Sequence, residues 1–155
     1  MSHFFLDSSA LVKRYLAETG SHWIVTLTYP QPGNTLNIAE VTQVEVAAAL
    51  AARHRAPGGI SRQLRDGAVN LLAQHCKIEY NLVALNPTII DRAVALTQNH
   101  RLRGYDAVQL ATALVLNTVL LKAHLAGLAF ITADNDLITA ARAEGLTADN
   151  PNNYL

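Results

Sequence analysis

The sequence predicts an α/β domain, with a mostly parallel central sheet of about four to five strands flanked by helices. Three observations carry that reading. Short apolar runs alternate with longer stretches of helical periodicity. Pro, Gly and Asn fall at the joins. The chain has 155 residues, half of them hydrophobic and 15% charged, which suits one domain spanning 1–155 with an aliphatic core.

The elements follow in order. "HFFLD" (His3 to Asp7) is too short for a helix and reads as a buried strand. "SSALVKRYLAE" follows as a helix, with Ser8 or Ser9 as its N-cap. "SHWIVTLTYP" is a helix that stops before Pro30, and "NTLNI" is a short strand. "NIAEVTQVEVAAALAARHR" reads as a helix, because Asn37 and Glu40 have capping-box spacing and the alanines favour it. "ISRQLRDGAVNLLAQHC" is amphipathic, with Ile60, Leu64, Ala68, Leu71 and Leu72 expected on its buried side. "YNLVAL" is a strand. "NPTIIDRAVALTQNH" opens with Asn86 as cap and Pro87 at the first helical position. A helix then runs from Gly104 to Leu121. "LAFIT" is another strand, "ADNDLITAARAEG" a helix ending at Gly145, and "LTAD" a last strand.

Composition excludes several classes. The single cysteine, Cys76, forms no internal disulfide, and no Cys/His cluster has zinc spacing. A reduced, cytoplasmic setting is expected. The first residues lack a basic region, and their apolar run is interrupted by Asp7. No stretch reaches the roughly 18 to 20 apolar residues of a membrane span. There is no phosphate-binding glycine loop of the Walker type and no Gly-x-Ser-x-Gly.

The acids are more informative. Asp7 and Asp134 stand at the carboxyl ends of expected strands, the edge where open parallel sheets bind ligands. Asp136 follows two residues later. Asp106 lies in the first turn of an otherwise apolar helix. Glu45 lies mid-helix among Val41, Val44, Val46 and Ala48, with no Lys or Arg three or four residues away. Each acid has a plainer explanation: a helix cap for Asp7, Asp134 and Asp136, dipole stabilisation for Asp106, solvent exposure for Glu45. Together they suggest a divalent cation as the missing counter-charge. An all-carboxylate donor set suits Mg²⁺ or Mn²⁺, as one or two ions. Phosphodiester hydrolysis is the matching reaction class.

The same residues resemble PIN-domain ribonucleases, in particular the VapC-type toxins of prokaryotic toxin–antitoxin pairs. The resemblance covers nearly the whole chain. It rests on "FFLDSSALVKRYLAETGS", "VTQVEVAAAL", "LVALNPTIIDRAVALTQNHRLRGYDAVQLATAL" and "FITADNDL". It implies a PIN-like fold and a catalytic, metal-binding quartet of Asp7, Glu45, Asp106 and Asp134. Asp136 is a weaker fifth ligand, and Ser8 and Thr132 are supporting hydroxyls. It also implies an Mg²⁺- or Mn²⁺-dependent endoribonuclease that is dimeric and held inactive by a cognate antitoxin. One departure is Ala39, where the family often carries a hydroxyl six positions before the glutamate; a local capping contact is the feature this puts in question.

Formal net charge is zero. Setting the five pocket acids aside leaves seven acidic against 12 basic residues. Lys13, Arg14, Arg101 and Arg103 flank the acidic segments and are expected to hold an RNA backbone. Tyr105 either stacks on a base or packs beside the site. The antitoxin is expected to cover the Ser8 to Trp23 region and the Ile60 to Cys76 helix. Three alternatives remain. A dehalogenase-like phosphatase would want an aspartate where Ser9 stands. A non-catalytic acidic-pocket domain that binds a partner, and a nuclease acting on DNA with the same site, look alike in sequence.

Overall fold

The computed structural model describes all residues, Met1–Leu155. Five strands form one wholly parallel sheet in the order β3-β2-β1-β4-β5. They are β1 (Ser2–Leu6), β2 (Asn34–Ala39), β3 (Tyr80–Val83), β4 (Leu128–Ile131) and β5 (Thr147–Asp149). The chain first builds outward from β1 to β2 and β3. It then returns to place β4 on the other flank of β1. The strand order therefore reverses between β1 and β4, and their carboxyl ends frame a crevice.

Strand alternation divides the core in two. Phe5, Phe130 and Ala39 point to one face, where they pack with α5 (Pro87–Asn99), α6 (Gly104–Lys122) and α7 (Asn135–Ala143). Leu6, Ile131 and Ile38, one residue away in each strand, point to the other. There they meet α1 (Ser8–Leu11), α2 (Ser21–Thr28), α3 (Thr42–Arg55) and α4 (Arg62–Ile78). Phe5 and Phe130 are paired in register and stack at 5.8 Å, both fully buried. Covering both faces explains why these strands read as short continuous apolar runs.

Several boundaries differ from the sequence reading. Asp7 itself, not a serine, caps α1 by accepting from the Ala10 N–H. That helix is one turn long and passes into a 3₁₀ turn at Val12–Arg14. Asn37 is no cap. It sits buried in β2, donates to the Phe4 carbonyl and accepts from Asn81. β2 extends to Ala39, so α3 begins only at Thr42 and Glu45 lies in its first turn. Val41 at its N-cap position gives no side-chain bond, which fits the missing hydroxyl at Ala39. On α4 the buried stripe is Leu72, His75 and Cys76. Leu64, Leu71 and Ile78, spaced seven apart and so on one face, are exposed.

α6 also corrects the expectation about membranes. Its 19 residues are long and apolar enough, by length and composition, to cross one. In this fold it is a core helix: Ala107, Leu110, Ala111 and Ala113 are wholly buried, as is Thr112. Thr112 satisfies its hydroxyl on the Val108 carbonyl. From the N-terminal half of α6, Asp106 lines the crevice and Gln109 reaches Glu45.

Candidate active site

Asp7 is the most constrained acid. It is 3% exposed at the end of β1. Its Oδ1 accepts from the Ser9 hydroxyl at 2.8 Å and the Ala10 N–H at 2.9 Å, and its Oδ2 accepts from Thr132 at 2.6 Å. Burial pushes its carboxyl up to about 6, against those hydrogen bonds, which lower it; the nearby Glu45 charge adds to the rise. The helix-cap explanation is thus correct and incomplete, because a cap alone does not need to be buried beside a second acid.

Glu45 reaches the same region from α3. Its Oε2 accepts from Ser8 at 3.1 Å and its Oε1 from Gln109 at 2.6 Å. Gln109 is 2% exposed on α6 and also donates to the Thr42 hydroxyl. Its own Oε1 is buried without a partner. Asp134 follows β4 and caps α7, its Oδ1 accepting from the N–H groups of Asp136 and Leu137. The cap is therefore Asp134, while Asp136 lies free in the first turn. Asp106 accepts a long 3.3 Å bond from the Arg103 N–H at the start of α6.

Asp106, Asp134 and Asp136 line one open cavity of about 590 Å³ together with Thr97, His100, Arg101, Leu102 and Arg103. Burial raises the Asp106 carboxyl above its ordinary value, the Arg103 N–H opposes this, and the charges of Asp134 and Asp136 raise it further. Thr132 joins the two halves of the site: its hydroxyl donates to Asp7 and accepts from the Asp134 N–H. The halves do not close on one another, since no three acids stand near enough to enclose an ion as placed. The fold gathers all five acids at the carboxyl edge, as Asp7–Glu45 on one side and Asp106–Asp134–Asp136 on the other.

Ser9 and Gln109 are the supporting residues that the sequence reading missed. Ser9 touches Asp7, the Thr132 hydroxyl and the Ala133 N–H, so it holds the ends of β1 and β4 together. The signal for Gln109 was present. It is an amide on the buried face of an apolar helix, three residues after Asp106, and a buried amide needs partners.

Two of the expected RNA contacts are corrected. Lys13 is buried, pairing with Glu18 at 2.9 Å and donating to the Thr19 carbonyl. Arg14 pairs with Glu79 at 2.7 Å, donates to the Tyr80 hydroxyl and lies over the Tyr80 ring. Both hold the fold, because a buried cation must be paired. Lys13→Ala should therefore cost about 2 kcal/mol in urea unfolding, the size of a charge-assisted bond, and leave the salt dependence of any RNA binding unchanged. A flatter salt dependence in that variant would restore Lys13 to the RNA surface. Arg101 and Arg103 are exposed and line the acidic cavity, whereas the exposed Tyr105 lines a neighbouring apolar hollow with Ile90, Val94 and Val108.

The family model for the PIN domain matches residues 4–143 of the chain. No curated protein sequence matches it. A chain of a toxin–antitoxin complex from Klebsiella pneumoniae is similar in structure, with a TM-score of 0.59 and 20% identity over 96% of this chain and 97% of that one. So is a chain of VapBC2 from Rickettsia felis, solved bound to a DNA fragment from the promoter, with a TM-score of 0.62 and 10% identity over 96% and 98%. At those identities the likeness is one of fold.

Proposed function

This chain belongs to the PIN domain family, and from that premise we propose that it is a divalent-metal-dependent endoribonuclease, the toxin of a VapC-type toxin–antitoxin pair. PIN domains are generally nucleases and typically depend on a divalent metal. The observation that carries the reading to this chain is the gathering of five acids at one sheet edge with no ion-pair partner. Every Lys, Arg and His that forms an ion pair does so with another acid.

The donor set fits Mg²⁺ or Mn²⁺, as one or two ions. It is all carboxylate oxygen, and the orphaned Gln109 acceptor beside Glu45 marks a polar site short of one partner. Asp7, Glu45, Asp106 and Asp134 would be the ligands, with Asp136 in reach of the same cavity. When bound, such an ion polarises a phosphoryl oxygen and activates water. The chain's own residues would orient these carboxylates within each half of the site. Ser9 and Thr132 fix Asp7, Ser8 and Gln109 fix Glu45, and Asp134 commits Oδ1 to capping α7 while Oδ2 stays free.

RNA as substrate and an antitoxin as partner follow from the VapC-type resemblance, and the two solved chains of like fold come from toxin–antitoxin complexes. The outward Leu64, Leu71 and Ile78 of α4, Val25 of α2 and Tyr29 just after it offer apolar area to such a partner. Trp23 is less available, since it stacks on Tyr154 at 4.4 Å. A homodimer and a cytoplasmic setting belong to the same proposal. Cleavage of structured RNAs and single-stranded DNA is the test, with Mn²⁺, Mg²⁺ and EDTA arms. Cleavage of RNA that EDTA abolishes and either ion restores is the expected result. Undiminished cleavage after chelation would remove the metal from the mechanism, and cleavage of DNA alone would replace the substrate.

A further inference from the structure

His100 was not among the residues that the sequence singled out. It closes α5, its N–H donating to the Leu96 carbonyl, and its ring lines the acidic cavity. Its Nε2 bonds Glu144 Oε1 at 2.8 Å, and Glu144 Oε2 accepts from Arg92 at 2.7 Å. The imidazole is thus held by a carboxylate that is itself held by a guanidinium. Against a carboxylate the Nε2 atom must be the donor. Nδ1 then has no protein partner and is a donor only in the imidazolium form. His100, Arg101 and Arg103 together make a basic lip, on one short loop, over a cavity whose other charged residues are Asp106, Asp134 and Asp136.

We propose that His100 is a substrate-binding residue that, when protonated, donates from Nδ1 to a backbone phosphate of the RNA, and that Glu144, backed by Arg92, is its positioning residue. The inference rests on the endoribonuclease reading for its substrate. A basic lip beside the acids gives a backbone phosphate a positive contact, which a purely acidic cavity does not. The arginines are exposed; the imidazole is the member of the lip that a side-chain partner holds. The competing role is a structural clamp tying the end of α5 to the end of α7.

The test is fluorescence anisotropy of a short labelled single-stranded RNA, titrated at several salt concentrations with Ca²⁺ in place of Mg²⁺ or Mn²⁺. Melting curves and cleavage assays run alongside. His100→Gln keeps the size and an uncharged donor. It should weaken binding on the order of ten-fold, the scale of one charge-assisted hydrogen bond. It should also reduce the slope of log affinity against log salt by about 0.7, one phosphate contact on a single strand. His100→Lys should restore the slope, and Glu144→Gln should weaken binding by a smaller factor. A His100→Gln variant that melts lower but binds with unchanged affinity and slope would leave only the clamp. RNA binding by the wild type with the expected His100 effect but without cleavage in Mg²⁺ or Mn²⁺ would sink the endoribonuclease and spare this contact. Cleavage by the wild type that His100→Gln leaves unchanged, with unchanged affinity, would do the reverse. A wild type that neither binds nor cleaves RNA overturns both.

Discussion

Asp106→Asn should lower RNA cleavage by about a hundred-fold or more, the scale on which removing one preorganised charge-stabilising group acts. It should do so without unfolding the protein. Asn keeps the shape and can still accept the long bond from the Arg103 N–H that Asp106 makes. It removes one charge from a cavity that already holds Asp134 and Asp136, whose fields raise the Asp106 carboxyl after burial has done so. The metal-free variant should therefore be no less stable than the wild type. Added Mn²⁺ should stabilise the wild type more, since stabilisation follows affinity through RT ln(1 + [L]/Kd). Were Asp106 only a partner of the helix dipole, its loss would cost roughly 0.3 to 1 kcal/mol and leave the metal response intact. Melting curves of both proteins in EDTA and in Mn²⁺ separate the two cases. An equal metal-induced shift excludes Asp106 from the ligands.

Asp7 should make the metal-free protein unusually sensitive to pH. Its folded-state carboxyl titrates near 6, above the unfolded value of 3.8. The folded chain thus binds this proton more tightly than the unfolded chain. The stabilisation from that proton is complete below about 3.8 and is lost as pH rises through about 6. A shift of this size corresponds to about 3 kcal/mol. In EDTA, the wild type should lose roughly that much between pH 4 and 7.5 relative to Asp7→Asn. Asn can still cap α1 at Ala10, and Thr132 can turn its hydroxyl to accept. Urea unfolding across that range is the measurement. Parallel profiles would mean that Asp7 carries no buried penalty. Mn²⁺ should reverse the order at pH 7.5, because a bound cation removes the reason for the carboxylate to take up a proton. The pairing of an apo-state penalty with a holo-state gain is what distinguishes a ligand from a cap.

The fold was legible because its signals are local. "HFFLD" and "LAFIT" are apolar on both faces, which only a doubly covered strand requires, and Pro87 and Gly145 mark helix ends by their backbone chemistry. The errors came where two local signals competed. Asn37 and Glu40 have the spacing of a capping box, yet pairing with β1 and β3 holds that segment extended to Ala39. Ladder bonds to two neighbouring strands outweigh one possible cap. On α4, several faces carry apolar residues: periodicity put Leu64 and Leu71 with Leu72 on the buried side, whereas packing against α3 and β3 buries Leu72 and Cys76 and leaves Leu64 and Leu71 exposed.

The sequence by itself determined the α/β class, the strand and helix order, and the presence of Asp7, Asp106, Asp134 and Asp136 beside expected strand and helix ends, with Glu45 on an expected helix. Those properties depend on residues a few positions apart. Tertiary structure alone decided which charges stand free. Lys13 and Arg14 lie six and seven residues from Asp7, and Arg101 and Arg103 five and three from Asp106, so sequence proximity treats both pairs alike. Burial commits the first two to Glu18 and Glu79 and leaves the second two at the cavity mouth. It also brought Ser9 to Thr132 and Ala133, Gln109 to Glu45, and Glu144 to His100, over separations of 123, 124, 64 and 44 residues. A hydrogen bond or an ion pair acts over a few ångströms of space, and distance along the chain carries no information about it until the sheet has closed.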